Sequence, residues 1–290
     1  MKGKILVVGA TGTVGSSLVA ELVKVGVPVR AATRDPVSAA ARGGFSSEAE
    51  IVSFDLTRAE TFNAALDGVE RAFLVARPGD EHADLLAFPL IDAMEKRGVR
   101  RVVDLSAMGA ELRPSFALRK IELRLEASTM AFTHLRPNWF MQMLAGGAFL
   151  AAVHATRTLR VPAALAKISW IDARDVSAIA AAALVSERAH EGKAYTLTGS
   201  EALDYAEVAT LIGAASGIDV QYKPVTEDEA RRFLSSAGFP PPWVERLIGF
   251  YRLVREGLAA SVSPAVQDLL GRQPRTFSAF AGEHAATWRT

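Results

Sequence analysis

The chain has 290 residues, half of them hydrophobic, with 33 Lys+Arg against 32 Asp+Glu and no cysteine. That length suits one large or two small domains at roughly 150 residues each and permits a substantial buried core. Lack of cysteine excludes disulfides, zinc–thiolate sites and thiol nucleophiles, and no run of like charge reaches the ~5 residues of a nucleic-acid patch.

Short apolar runs alternate with longer amphipathic ones, the pattern of β-α units around a parallel sheet. Ile5–Val8 reads as a strand, Thr13–Val25 as a helix, Val29–Thr33 and Ile51–Phe54 as strands, and Thr61–Leu66 as a short helix. Strand Ala72–Ala76, helix Leu85–Arg97, strand Val102–Leu105, helix Ser115–Ser128 and strand Phe132–Leu135 follow, with a later strand at Ala194–Leu197. The rhythm then becomes helical: Tyr205–Ser216, Glu227–Ala237, Trp243–Gly257 and Pro264–Leu270 precede a Phe-containing tail. The fold class expected is α/β, a Rossmann-type doubly wound parallel sheet with a smaller, mainly helical C-terminal lobe. Residues 1–152 with roughly 168–198 are assigned to the nucleotide-binding domain. Roughly 153–167 with 199–290 form the substrate-binding lobe, with a ligand cleft expected between the two. The apolar runs Ile5–Ala10 and Ile179–Val185 are too short for a signal peptide or for the ~18 residues of a bilayer span. The sequence reads as a soluble, cytoplasmic protein without nucleic-acid or membrane partners.

The stretch KILVVGATGTVG carries Gly9, Gly12 and Gly15 directly after a β-branched run. Gly9 permits a tight turn, Gly12 a close approach of backbone to an anion, and Gly15 close packing of helix on strand. The N–H groups at the helix start then face a pyrophosphate. The first gap is one residue longer than in the G-x-G-x-x-G fingerprint. Thr11, Thr13 and Val14 belong to the same cradle. At the end of the second strand, Thr33 and Arg34 occupy the positions that read the ribose, and a guanidinium suits a 2′-phosphate. NADP(H) is the expected cofactor; an Arg34–Asp35 pair in solvent would leave NAD(H) open.

GATGTVG, ATRDP, FDLT (54–57), LRPNWFMQ (135–142) and GRQPRTF (271–277) together resemble the NmrA-like branch of atypical short-chain dehydrogenases/reductases. That branch includes quinone- and azo-reductase-like proteins, ergot-alkaloid-dehydrogenase-like reductases and cofactor-sensing regulators without catalysis. The resemblance implies that Asp55 and Leu56 flank the adenine and that Val75, Ala76 and Arg77 line the middle of the cofactor. It also implies that Pro137 and Asn138 to Phe140 lie beside the nicotinamide. Ordinary short-chain dehydrogenases use a helical Tyr-x-x-x-Lys and a Ser or Thr on the fifth strand. Here Ser106 ends that strand, but aligning Glu122 with the family's glutamate puts Pro114 and Leu118 at the tyrosine and lysine positions. A slip of one residue gives Ser115 and Arg119. Pro114 and Leu118 cannot donate a proton, Ser115 and Arg119 are still not the pair, and Arg119 and Lys120 are expected in solvent beside a buried stripe of Leu118, Ile121 and Leu125.

Quinones, azo bonds, imines and enone-like alkenes accept hydride before a proton, so the protein need only orient them in a dry pocket. Trp139, Phe140, Met141 and Trp170 are the candidate substrate contacts, with Trp243 and Tyr251 completing an aromatic cavity. Successive side chains diverge, so only one of Trp139 and Phe140 is expected to face the nicotinamide. His82, His134, His154, His190 and His284 show no metal spacing; no metal is expected, and His134 should be packed within its strand. Asp175 is expected to cap an apolar helix. The reading is therefore an NAD(P)H-dependent reductase of a small electron-poor acceptor, acting as monomer or homodimer, with Ser106 the sole catalytic candidate. The alternative is a non-catalytic NADP(H) sensor that regulates a protein partner.

Overall fold

The computed structural model describes residues 3–41, 45, 48–76 and 80–289, so Arg77 lies outside the described residues. The strands are β1 (Lys4–Val7), β2 (Val29–Thr33), β3 (Ala49–Ser53), β4 (Val69–Val75), β5 (Arg101–Leu105), β6 (Ala131–Pro137), β7 (Thr158–Leu159), β8 (Lys193–Leu197) and β9 (Gln221–Tyr222). Seven of them form one sheet in the order β3-β2-β1-β4-β5-β6-β8. The pairs from β3 across to β6 are parallel. Strand order reverses between β1 and β4, the switch point of a doubly wound sheet, where ligands bind outside the carboxyl ends.

Both faces of this sheet are covered, which is why its strands read as continuous apolar runs. Leu6, Ala72, Leu74 and Val102 pack with Phe62, Leu66, Leu90, Met94, Ile121 and Leu125. The alternate positions Ile5, Val7, Phe73 and Val103 are buried as well. Helix Thr13–Lys24 packs against helix Ala173–Val185, where Ser177 Oγ lies 2.9 Å from the Val14 carbonyl. Two strand arginines are buried because they close helix ends. Arg30 donates to the carbonyls of Ala64, Ala65 and Asp67 and pairs with Glu50. Arg101 does the same for Ala183, Ser186 and Glu187. Each satisfies carbonyls that a helix C-terminus leaves without partners.

The chain divides into two compact units, residues 1–137 with 173–196, and 138–172 with 197–290. Residues 138–152 and 168–172, grouped with the nucleotide domain from sequence, fall in the second unit. The reason is packing: Met141, Leu144, Val153, Ile168 and Trp170 bury their side chains among Tyr205, Ile212, Tyr251, Phe277, Phe280 and Trp288. This unit also holds elements the sequence pattern did not announce. They are helix Gly147–Thr156, the β7–β9 pair, and helices Phe277–Glu283 and Ala285–Arg289 in the Phe-containing tail. The apolar helix expected after Asp175 begins earlier, at Ala173. Asp175 is therefore not its cap but a buried acid in its first turn, where the helix dipole favours a negative charge. Among the described residues no helix is long and apolar enough to cross a membrane.

Candidate functional site

Gly9 leaves β1 with φ +67°, and an added Cβ there would strike Val75 at 2.6 Å. The structure thus brings Gly9 and Val75 into contact. Gly12 precedes helix Thr13–Lys24 in extended backbone and offers no side-chain cap. The first N–H groups of that helix are the ones an α-helix leaves without internal partners. Thr11, Gly12 and Thr13 are exposed, whereas Val14 and Gly15 are buried. A Cβ on Gly15 would lie 2.2 Å from the Gly9 carbonyl oxygen. The free N–H groups at this helix start and the positive end of its dipole fit a pyrophosphate.

At the end of β2, Thr33 is buried and Arg34 exposed. Asp35 Oδ1 accepts the backbone N–H of Ser38 at 2.9 Å, capping helix Pro36–Ala41. Asp55 is engaged in its own turn, accepting from the backbone and hydroxyl of Thr57, which hold its carboxyl below the usual range. Leu56 and Val75 are half-buried against the core, and Ala76 is buried.

Pairing of Asp104 with His134 across β5 and β6 aligns Ser106 and Arg136 on the same face, two residues further along each strand. Helix Ala117–Glu126 lies over them and contributes a fully buried Glu122. Arg136 forks onto Glu122 with two 2.8 Å bonds, and Arg119 adds a third at 2.7 Å. Burial pushes the Glu122 pKa up, but the bonds from Arg136 and Arg119, with the Ser106 hydroxyl close by, outweigh it and hold the carboxyl at about 2. His134 Nδ1 is hydrogen-bonded to Asp104. Burial opposes a charge on the imidazole, yet the Asp104 carboxylate raises its pKa. Ser106 is 5% exposed; its hydroxyl lies against Glu122 but completes no well-formed hydrogen bond. Arg119 is thus not in solvent as expected, because it closes this network, and Lys120 reaches the buried Asp84 at 3.1 Å. Leu118 is half-buried and Pro114 exposed. Asp104, Glu122 and His134 place potential ligand atoms within 4.8 Å of one another. Their spacing in sequence hid this; Glu122 accepts from Arg136 and Arg119, and Asp104 is bonded to His134 Nδ1.

In the second unit Asn138 is buried, and its amide donates to Ser169 Oγ at 2.7 Å and to the Ala259 carbonyl at 2.8 Å. Trp139 is half-buried, edge-on to Trp170 and tilted over Tyr251 at centroid distances of 6.0 and 5.2 Å. Phe140 is half-buried in extended backbone, bridged to Ile171, and makes no ring–ring contact among the described residues. Met141 and Trp170, expected to touch substrate, are each 1% exposed because they fill the core behind Trp139. Tyr251 joins the aromatic group, but Trp243 pairs with Phe239 instead and takes no part in it.

The profile of the NmrA-like family matches residues 1–281. An NAD(P)H azoreductase of Xenophilus azovorans is 34% identical over 288 residues, 98% of this chain and 99% of the relative. The NADPH-dependent quinone oxidoreductase of Escherichia coli, solved with NADPH, superposes with a TM-score of 0.83 at 25% identity, covering 97% of this chain and 99% of that one. A Citrobacter sp. triphenylmethane reductase complexed with NADP(H) has the same fold, with a TM-score of 0.83 at 23% identity over 97% and 99% of the two chains. The chain belongs to the NmrA-like family.

Proposed function

We propose that the chain is an NADPH-dependent reductase that directs hydride to a small, flat, electron-poor acceptor of the quinone, azo, imine or enone type. The observation that carries this reading is the helix Ala117–Glu126. There Glu122 is locked as an anion by Arg136 and Arg119, and in the register that sets Glu122 on the family's glutamate, Leu118 takes the lysine position. With no poised side-chain acid there, acceptors that take a proton from water after hydride suit the site. The near full-length likeness to an azoreductase supports the same class. The glycine turn and helix start bind the pyrophosphate through backbone N–H groups, and Arg34 binds the 2′-phosphate. Bound there, the reduced dinucleotide supplies the hydride. Phe140 offers an aromatic surface to the acceptor, while Trp139, wedged on Trp170 and Tyr251, fixes the backbone that presents it. Oxidation of NADPH with a panel of quinones, azo dyes and imines tests the assignment. Tight NADPH binding with no turnover across the panel would favour a cofactor-sensing regulator.

Because Asp35 is occupied as a helix cap, Arg34 is the charged side chain proposed to read the 2′-position. Arg34→Ala is expected to weaken NADPH binding by roughly 1.5–3 kcal/mol, the scale of a hydrogen bond to a charged group. NADH should be almost unaffected, and calorimetry showing equal wild-type affinities for the two nucleotides would refute the assignment. Phe140→Ala is expected to raise KM several-fold for aromatic acceptors at unchanged NADPH affinity. A matching loss in NADPH binding would instead place Phe140 against the cofactor.

A further inference from the structure

Histidine is the side chain whose charge changes nearest neutral pH, and the partners of its two nitrogens decide which of them keeps a proton. His134, on β6, is 1% exposed beneath helix Ala117–Glu126, its ring stacked on Phe132 at a centroid distance of 4.6 Å. From β5, the Asp104 carboxylate takes Nδ1. Nε2 is fully buried on the other side and completes no hydrogen bond; the charged atom before it is Glu126 Oε1, 3.4 Å away. The imidazole therefore stands between two carboxylates, one on a strand and one on the helix. Arg136 follows on the same strand, paired with Glu122 and Glu111, and Arg119 bridges Glu122 and Glu126 from the helix.

With the ring charged, His134, Arg119 and Arg136 answer four carboxylates: Asp104, Glu111, Glu122 and Glu126. Loss of one proton leaves two cations to the same four. Nδ1 keeps its hydrogen for Asp104, so Nε2 then turns a lone pair toward Glu126 Oε1, acceptor against acceptor. Asp104 and Glu122 are too deeply buried to leave. Glu126 can leave. Its side chain is 33% exposed, and as the last residue of the helix it lies at the end where the dipole disfavours an anion. The helix itself stays tied to its neighbour by Arg124 on Asp92 and by Thr129 on Glu95, which confines any movement to the closing turn. We propose that Glu126 is a pH-operated stopper over the buried Asp104–His134 pair. It sits on Nε2 while the ring carries both protons, and it swings into solvent once Nε2 has lost its own.

Magnetic resonance of the full chain labelled with nitrogen-15 reads both halves of this device, the ring through its nitrogen shifts and the helix through amide exchange. Glu126→Gln keeps the shape of the side chain and removes its charge. It is expected to lower the His134 midpoint by about one pH unit, the order of a single charge at this distance on a part-exposed site. Linkage makes the effect mutual, so deprotonating His134 should loosen the Glu126 seat by about tenfold. The amides of Ala127 and Ser128 bond the Leu123 and Leu125 carbonyls in the closing turn. In the wild type they should exchange about tenfold faster than the intrinsic rise with pH as the midpoint is passed. Glu126→Gln should show no such step. An unchanged midpoint in Glu126→Gln, or the same step in both proteins, would overturn the proposal. So would a step shared equally by the amides of β5 and β6, which would mean that the whole network loosens rather than one side chain.

Discussion

Replacing Glu122 with alanine is expected to cost about 3–5 kcal/mol of stability at neutral pH, the usual result of removing one partner from a buried ion pair. Arg136 would keep its place on β6 with its guanidinium neutralised only by Glu111 at 3.4 Å. Acid should imitate the substitution. The Glu122 carboxyl titrates at about 2 in the fold against an ordinary value of 4.5, so its contribution is complete above 4.5 and is lost as pH falls toward 2. His134 works in the opposite direction. Its pKa is raised above 6.5, so the stability from its pairing with Asp104 is complete below 6.5 and fades as pH rises through the raised value. Urea unfolding from pH 3 to 9 should therefore show a maximum between two limbs. Asp104→Asn should flatten the alkaline limb, and Glu122→Ala should shrink the acid one, to which Glu227, likewise held at about 2, still contributes. A Glu122→Ala protein within about 1 kcal/mol of wild type at pH 7, the ordinary cost of a point change, would show that the network is not held together by this carboxylate.

Gly15→Ala should be nearly as severe, and selective for the nucleotide. Its methyl would meet the Gly9 carbonyl oxygen at 2.2 Å, the Gly9 carbonyl carbon at 2.9 Å and Ala10 Cα at 3.0 Å. All three are backbone atoms that cannot swing aside as a side chain would. The turn must move, at about 1–3 kcal/mol for an overpacked site. Moving it also misdirects the helix-start N–H groups, and losing two charge-assisted contacts lowers affinity on the order of a hundredfold or more. Gly26→Ala is the control: its φ of +68° strains any other residue, but nothing lies within 4 Å of the new methyl. It should lower the melting temperature without changing NADPH affinity. Equal nucleotide affinity in Gly15→Ala and wild type would remove the glycine turn from the binding site.

The strands of the large sheet were legible because a sheet covered on both faces leaves near-continuous apolar runs, and Val29–Thr33 was bounded correctly to the residue. Helix Tyr205–Ser216 was equally clear, starting on Asp204 and ending at Gly217 with its left-handed φ. The ionic network was not legible. Asp104, Glu122, His134 and Arg136 are separated by up to 32 positions, and only the β5–β6 register and one helical face unite them. Periodicity marks which residues face inward, but it does not say that a buried Glu122 has three guanidinium bonds waiting. The division of the aromatic segment failed for a related reason. Trp139, Met141 and Trp170 look alike as apolar residues near a strand end, and only packing tells the wedge from the wall.

The two compact units are threaded through each other along the chain, and this constrains how the protein can be made. Residues 138–172 leave the ribosome before helix Ala173–Val185, which the first unit needs to cover helix Thr13–Lys24. Arg101 and Arg71 likewise wait for the carbonyls of residues 183–187. A fragment ending at 137 would expose that helix face and leave two strand guanidiniums without acceptors. One beginning at 197 would lack Trp139, Met141 and Trp170 from its own core. Neither unit is thus obtainable by a single cut. During synthesis Trp139, Met141 and Trp170 must wait for core partners as far on as Trp288, more than a hundred residues later, and stay open to misassociation until then.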